Sequence, residues 1–399
     1  MEPLLALFLV ISAAYVASEI CKHLGIPRVV GEISAGIVIG ASFLRPEIFS
    51  PELSPVFAFL SDMGLVLLFF FVGLGISLRD LRRNARESTF IAIANTTLPF
   101  VLGIAASLAL CLGWVPAIVV GICLSVSSQA VALDFLEEYR VLRTRIGELI
   151  VAAGAVDDIF ELLLISAVLA MINVSGTGVT PAGLVANLLA FLVILAVFRQ
   201  LLVPYLIRIF ERGGSKASLF MGAILIMLLM AALANIFGIG SVIGALIAGI
   251  LVRNALLTGR ERKPWKEHYL AETVHTVSFG LFIPIFFVVV GLNTSVGDIV
   301  SNLPFGLLIT CIAIAGTLVG TMAGVLAAGG TMREGVMAGW GLNAKGDTEI
   351  VIATLALQGG IIGTALFSSI IFMALLTTLI PPIMFRQMVR SYAPESAKA

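Results

Sequence analysis

Charge is what this chain has least of. Only 12% of its residues are Asp, Glu, Lys or Arg, about half the roughly 25% of an ordinary soluble domain, while 59% are hydrophobic and the mean hydropathy is +1.10. That balance excludes a chain of soluble domains and indicates a polytopic membrane protein. The 24 basic and 24 acidic residues cancel, so no basic excess points to a nucleic-acid partner. Cysteine is scarce as well. Cys21, Cys111, Cys123 and Cys311 lie in or beside apolar segments without metal-ligand spacing, which makes them small core residues. Of the three histidines, His23 and His268 fall in loops and His275 starts an apolar run; nothing selects one as a pH sensor. The N-terminal stretch MEPLLALFLVISAAYVASEI lacks a basic leader and a clear cleavage site, so it reads as a first span, not a signal peptide. Only about fourteen residues follow the last apolar run, and no soluble regulatory domain is expected.

What is present is a succession of apolar runs of spanning length, about 20 residues each. They fall near 3–20, 27–43, 57–77, 89–111, 114–134, 145–171, 181–198, 217–236, 238–255, 273–292, 303–327, 333–357 and 361–385. These predict an all-α protein of about thirteen transmembrane helices. Lys and Arg should collect in the cytoplasmic loops, and 22 of the 24 fall after odd-numbered spans or in the C-terminal tail, leaving Arg45 outside and Lys345 within a span. The N-terminus is therefore expected outside and the C-terminus in the cytoplasm. Thirteen spans divide as a first repeat (1–171), a linker helix (172–216), an inverted second repeat (217–386) and a short tail (387–399). Inverted repeats with broken helices at mid-depth are a recurrent transporter plan. Spans 5 and 12 carry the matching polar interruptions, SVSSQAV at 125–131 and GLNAKGDTE at 341–349. Unwound backbone is tolerated at that depth only where it is buried or lines a water-filled cavity.

Span 6 holds the candidate site. In AGAVDDIFELLLISAV, Asp157 and Asp158 stand side by side, with Glu161 one turn on and no base in the stretch. An acid at membrane depth costs roughly 2.5–3.5 kcal/mol on insertion scales and usually marks an ion path, proton relay or substrate cavity. A carboxyl in low dielectric can exchange a proton near neutral pH, and once bare it is a hard oxygen ligand for an alkali cation. Proton and cation can then compete for one site. Ser125, Ser127, Ser128 and Gln129 of span 5 can add neutral oxygens, although serines in membrane helices often bond only to the preceding turn. Lys345, Asp347 and Glu349 of span 12 read either as a self-neutralised cluster capping two half-helices or as a cluster tuning the cavity potential. Glu32 and Asp62 read as lone acids at helix ends or packing seams. The Gly316 to Gly320 spacing of span 11 fits close helix packing.

With these residues in place, the chain resembles the monovalent cation/proton antiporters of the second large superfamily branch, which includes bacterial sodium/proton antiporters and glutathione-gated potassium efflux systems. IPRVVGEISAGIVIG, DMGLVLLFFFVGLGISL, FGLFIPIFFVVVGLN and LNAKGDTEIVIATLAL match in order, and LSVSSQAVALDFLEEYRVLRTRIGELIVAAGAVDDIFELLL matches the crossing helix, the turn and the aspartate helix. The resemblance implies the sodium/proton antiporter fold, with a dimerisation domain beside a six-helix core that moves like an elevator. It implies a homodimer in a bacterial or archaeal plasma membrane, embedded in lipid. It places Na+, or Li+ or K+, at Asp158 and Asp157, with Ser128 and Gln129 beside them and Glu161, Ser127, Thr317, Lys345 and Asp347 in support. No cofactor and no enzymic activity are implied; the transported cation and protons are the substrates. The chain departs at two places. Relatives carry Ser-Thr where it has Ser128 and Gln129, and relatives with an Asp pair often carry Gly-Lys where it has Gly316 and Thr317.

Two other classes of membrane protein also place acids at mid-depth. An intramembrane aspartyl protease needs acids facing each other from two helices across a shared proton, which adjacent residues on one helix cannot supply. A sodium-coupled symporter of an organic anion needs several anion-binding donors, and Lys345 is the only cation far from the ends of a span. A potassium/proton efflux carrier is the nearest alternative.

Overall fold

The computed structural model describes residues 2–24, 26–42, 45–75, 85–128, 132, 136, 141, 144–154, 156, 157, 160, 164, 195, 198, 200, 205, 216–237, 239–258, 264–346 and 348–392. Among these residues helix is nearly universal and no strand occurs. Helices α1 (Pro3–His23), α2 (Arg28–Ala41), α3 (Arg45–Ile48), α4 (Ser54–Gly75), α5 (Ala85–Ala109) and α6 (Trp114–Ser125) come first. A helix described over 145–154 and again at 156, 157, 160 and 164 is α7. Then follow α8 (Lys216–Ile236), α9 (Ser241–Thr258), α10 (Pro264–Val277), α11 (Ile283–Asn293), α12 (Val296–Ser301), α13 (Leu303–Ala327), α14 (Met332–Leu342), α15 (Thr348–Gln358) and α16 (Thr364–Tyr392). Seven helices among the described residues are long and apolar enough to cross a membrane. The chain is an integral membrane protein.

The divided run 217–255 is two helices, α8 and α9, as the sequence predicts. Span 10 differs: helix begins at Pro264, nine residues before the apolar run, because PWKEHYLAE is polar but free of helix breakers past its first residue. One π-helical turn, Ser278–Phe282, joins α10 to α11, with the Ile283 N–H donating to Ser278 O. Pro284 follows directly and has no N–H to continue the α ladder.

The chain forms two compact units. The first comprises Met1–Tyr15, Ser42–Ile76 and Leu169–Val289. Its core joins Phe70 and Leu74 of α4, Met227 and Met230 of α8, Ala245 and Ala248 of α9, and Leu270 and Val274 of α10. Helices α4 and α9 meet on glycine: a Cβ on Gly73 would lie 2.2 Å from the Leu246 carbonyl, and one on Gly249 2.3 Å from that of Phe70. Without an aqueous driving force between lipid-solvated helices, close backbone approach of this kind supplies the packing.

The second unit comprises Val16–Ala41, Ser77–Val168 and Val290–Ala399. Its core gathers Ile91 of α5, Ile146 and Ile150 of α7, Val325 of α13, Leu342 of α14 and Phe385 of α16. Here α13 lies along α5 through Gly316 on Pro99, Gly320 on Ala94 and Gly324 on Ile91, the close packing that the glycine spacing predicts. Helix α14 opens with a capping box in which Thr331 and Glu334 bond each other's backbone N–H, and Glu334 also meets Arg145 of α7 at 3.2 Å. The helix stops at Leu342, and helix resumes only at Thr348. Likewise α6 stops at Ser125, and Val126 is extended at φ −73°, ψ 149°.

Candidate functional site

Asp157 lies in the second unit at 1% exposure, so its carboxyl must find partners inside the protein. Among the described residues, three neutral groups reach it. Asn95 Nδ2 of α5 lies 3.2 Å from Oδ2, and Thr96 Oγ1 lies 2.5 Å from Oδ1. The Ser127 hydroxyl, in the break after α6, donates to Oδ2. Behind them Thr321 of α13 donates to Asn95 Oδ1 at 3.1 Å. The glycine seam makes this possible. A Cβ at Gly320 would sit 2.3 Å from the Ala94 carbonyl, so only glycine lets α13 bring Thr321 against Asn95.

The breaks of spans 5 and 12 bond to each other. Ser128 N–H donates to the Ala344 carbonyl at 2.7 Å, and the fully buried Lys345 donates from Nζ to the Val126 carbonyl. Lys345's own carbonyl accepts from Thr378 at 2.5 Å, and Asn343 Nδ2 donates to Ile314 O at 2.8 Å. A helix C-terminus presents unpaired carbonyls and about half a negative charge, so the ammonium of Lys345 sits where α6 calls for one. Glu349 falls in the first turn of α15, at the end of that half-helix which favours an acid. Both are buried, and the half-helix dipoles offset part of the cost of burying them.

The predicted residues therefore divide. Asp157 and Ser127 meet, and Ser128 and Lys345 join the two breaks. Ser125 only bonds back to Ile122 O at 2.8 Å. Thr317 is buried on α13, and its hydroxyl has no hydrogen-bond partner among the described residues. Asp158, Gln129, Glu161 and Asp347 lie outside the described residues. Glu32 is buried in α2 and Asp62 is exposed on α4, while His275 stacks on Phe279 at 4.5 Å.

Sequence reasoning missed Asn95, Thr96 and Thr321. A signal was available: the run NTT interrupts span 4 near its middle, and an amide at that depth needs a partner. What the sequence could not give was that the partner stands 62 residues away.

The comparisons agree with this architecture. Over 378 residues the chain is 26% identical to the "Na(+)/H(+)-K(+) antiporter GerN" of Bacillus cereus, covering 95% of this chain and 94% of that one. It is 28% identical over 391 residues to a "Na(+)/H(+) antiporter" of Enterococcus hirae, covering 97% of this chain and 98% of the other. Its fold is that of the sodium proton antiporter MjNhaP1 of Methanocaldococcus jannaschii at pH 8, with a TM-score of 0.66 at 15% identity over 99% of this chain and 100% of that one. The family model described as "Sodium/hydrogen exchanger, transmembrane" matches residues 6–391, and the chain belongs to that family of membrane transporters.

Proposed function

We propose that this protein exchanges a monovalent cation for protons by alternating access at the Asp157–Asp158 pair, with Na+ as the first candidate and Li+ or K+ as the others. The observation that carries this is the burial of Asp157 among oxygen-bearing side chains between a broken helix and α5. One desolvated carboxylate can hold either a proton or a cation, and a site that trades one for the other is an exchanger. In this reading Asp158 binds the ion, Ser127, Ser128 and Gln129 add neutral oxygens, and Glu161, Lys345 and Asp347 set the local potential. The GerN name, which pairs Na+ and K+, gives the potassium arm its weight.

The test is proteoliposomes enclosing a pH dye and challenged with each alkali cation. Wild type moves protons in response to at least one of them, and Asp158→Asn, which keeps the shape but can neither release a proton nor offer charge, moves none. Normal exchange by that variant would overturn the assignment.

Exchange is proposed to be one for one. Thr317 offers a hydroxyl where a lysine would supply charge, and two bare carboxylates around one monovalent cation would strand a negative charge in low dielectric. An imposed membrane potential without a pH gradient should drive no cation accumulation; voltage-driven uptake would refute this, and its loss in Lys345→Ala would name the substitute counterion.

The N-out, C-in orientation, a bacterial or archaeal plasma membrane, a homodimer in lipid and an elevator-like movement belong to the same proposal. Labelling of single cysteines placed in the tail and in the first loop checks the first, and cross-linking in membranes checks the dimer.

A further inference from the structure

The carboxyl of Asp157 is nearly used up by its neighbours. A carboxylate offers about four lone-pair positions on its two oxygens. Asn95 and Ser127 take two on Oδ2, and Thr96 takes one on Oδ1. The Asn95 amide and the Ser127 hydroxyl point hydrogens at Oδ2, while Thr96 shares its single hydroxyl hydrogen between Oδ1 and the Ala92 carbonyl; hydrogens aimed at an oxygen repel a cation approaching from the same side. Asn95 is held in this role from behind: with Thr321 donating to its Oδ1, the amide has its NH2 left for Asp157 and its oxygen engaged. The four partners come from α5, α13 and the break after α6, and all are buried. An arrangement with this many donors is suited to holding a carboxyl still.

We propose that Asn95 and Thr96, with Thr321 behind them, are positioning residues of the exchange site. They act through Asp157, which fastens Ser127 and hence the break of span 5, and they leave the cation's direct charge partner to be Asp158. This assigns a function to a wall of the site that neither the aspartate motif nor the polar interruptions mark. It also divides the pair: one carboxyl holds the broken helix in shape, and the other meets the ion. The inference rests on the antiport reading for its functional consequence, but its structural core can be tested apart from transport.

The experiment is a double-mutant cycle on reconstituted protein, reading cation-driven proton movement against sodium concentration, or against the cation that wild type carries. The proteins are wild type, Asn95→Leu, Asp157→Ala and the double variant. Loss of a hydrogen bond to the buried carboxyl is worth enough that Asn95→Leu should raise the half-saturating concentration about tenfold, and Asp157→Ala, which also removes a carboxyl from the site, should raise it at least as much while still exchanging at saturating cation. The double variant should be no worse than the poorer single, because among the described residues Asn95 reaches the site through Asp157. Two results would overturn the proposal: a multiplicative loss of about a hundredfold in the double variant, or an Asp157→Ala protein that exchanges nothing at saturating cation, which would make Asp157 the ion's own ligand. Thr96 provides a gentler pair. Thr96→Val should weaken cation affinity and Thr96→Ser should restore it; equal losses in both would count against a role for the hydroxyl. Unfolding temperatures of the four cycle proteins in detergent without cation give the same coupling with no transport needed. Non-additive losses are expected there, and additive ones overturn the proposal. A wild type inert to every alkali cation would sink the antiport reading and still leave the unfolding cycle to decide this one.

Discussion

The two helix interruptions in the second unit look alike in sequence and differ in chemistry. The first, Val126 to Ser128, offers hydroxyls and backbone; the second, Asn343 to Gly346, brings a buried ammonium, with a buried acid on the first turn of the helix that follows. Each supplies what the other lacks. Lys345 reaches across to the Val126 carbonyl at the end of α6, and Ser128 N–H reaches back to the Ala344 carbonyl. The charge stands where a half-helix end carries an opposite partial charge. The hydroxyl of Ser127 stands where a carboxyl has to be held. Polar residues at the same depth can therefore do two unlike jobs, and the neighbouring backbone decides which.

The hardest blow to that comparison is to remove the charge. Lys345→Met keeps most of the side-chain volume but leaves the Val126 carbonyl and the end of α6 without a donor, a loss of about 2–3 kcal/mol for a buried group bonded to a charge. The expected outcome is a clear fall in unfolding temperature in detergent, larger than that of Ser127→Ala, which removes one of three donors to Asp157. If Ser127→Ala proved the more damaging, the hydroxyl break would be the structural one and the comparison would be inverted. Next comes the seam that brings α13 to α5. Gly320→Ala would place a Cβ 2.3 Å from the Ala94 carbonyl, and overpacking of this kind costs about 1–3 kcal/mol. Because Thr321 and Asn95 ride on that contact, a weakened cation affinity should accompany the lost stability. An intact affinity would show that the breaks alone position Asp157.

These residues also show what could be read from the chain. The spans that the structure describes were legible from hydropathy alone, while the predicted linker helix, 172–216, lies largely outside the described residues. The breaks were legible because serines, a lysine and an acid at mid-depth are expensive unless backbone or cavity receives them. The Gly316–Gly320 seam was legible from its spacing, but its partner helix was not. The α5 wall was legible only as a polar interruption: hydropathy treats Asn95 and Thr96 as mild breaks in a good span, and their meaning comes from Asp157 and Thr321, which are distant in sequence. The start of α10 was missed for another reason. An apolar run marks where lipid begins, and a helix with tolerant residues continues past that point.

Ser125 and Ser127 sharpen the comparison most finely, because they share one short stretch and were indistinguishable as letters. Ser125 is the last residue of α6, and its hydroxyl bonds to the Ile122 carbonyl one turn back. That bond is local and partly redundant, since Ile122 O already accepts from the Val126 N–H. Ser127 lies past the helix end, where the extended backbone at Val126 turns its hydroxyl to the Asp157 carboxyl. Removing the first hydroxyl leaves no charged group short of a donor and the Ile122 carbonyl still paired, so the loss falls at the low end for a neutral hydrogen bond, about 0.5 kcal/mol. Removing the second takes a donor from a buried carboxyl, at about 1.5 kcal/mol or more. Ser125→Ala should therefore match wild type in unfolding temperature and half-saturating cation concentration, while Ser127→Ala shifts both. If the two variants behaved alike, the extended residue at Val126 would have no bearing on which serine faces the site.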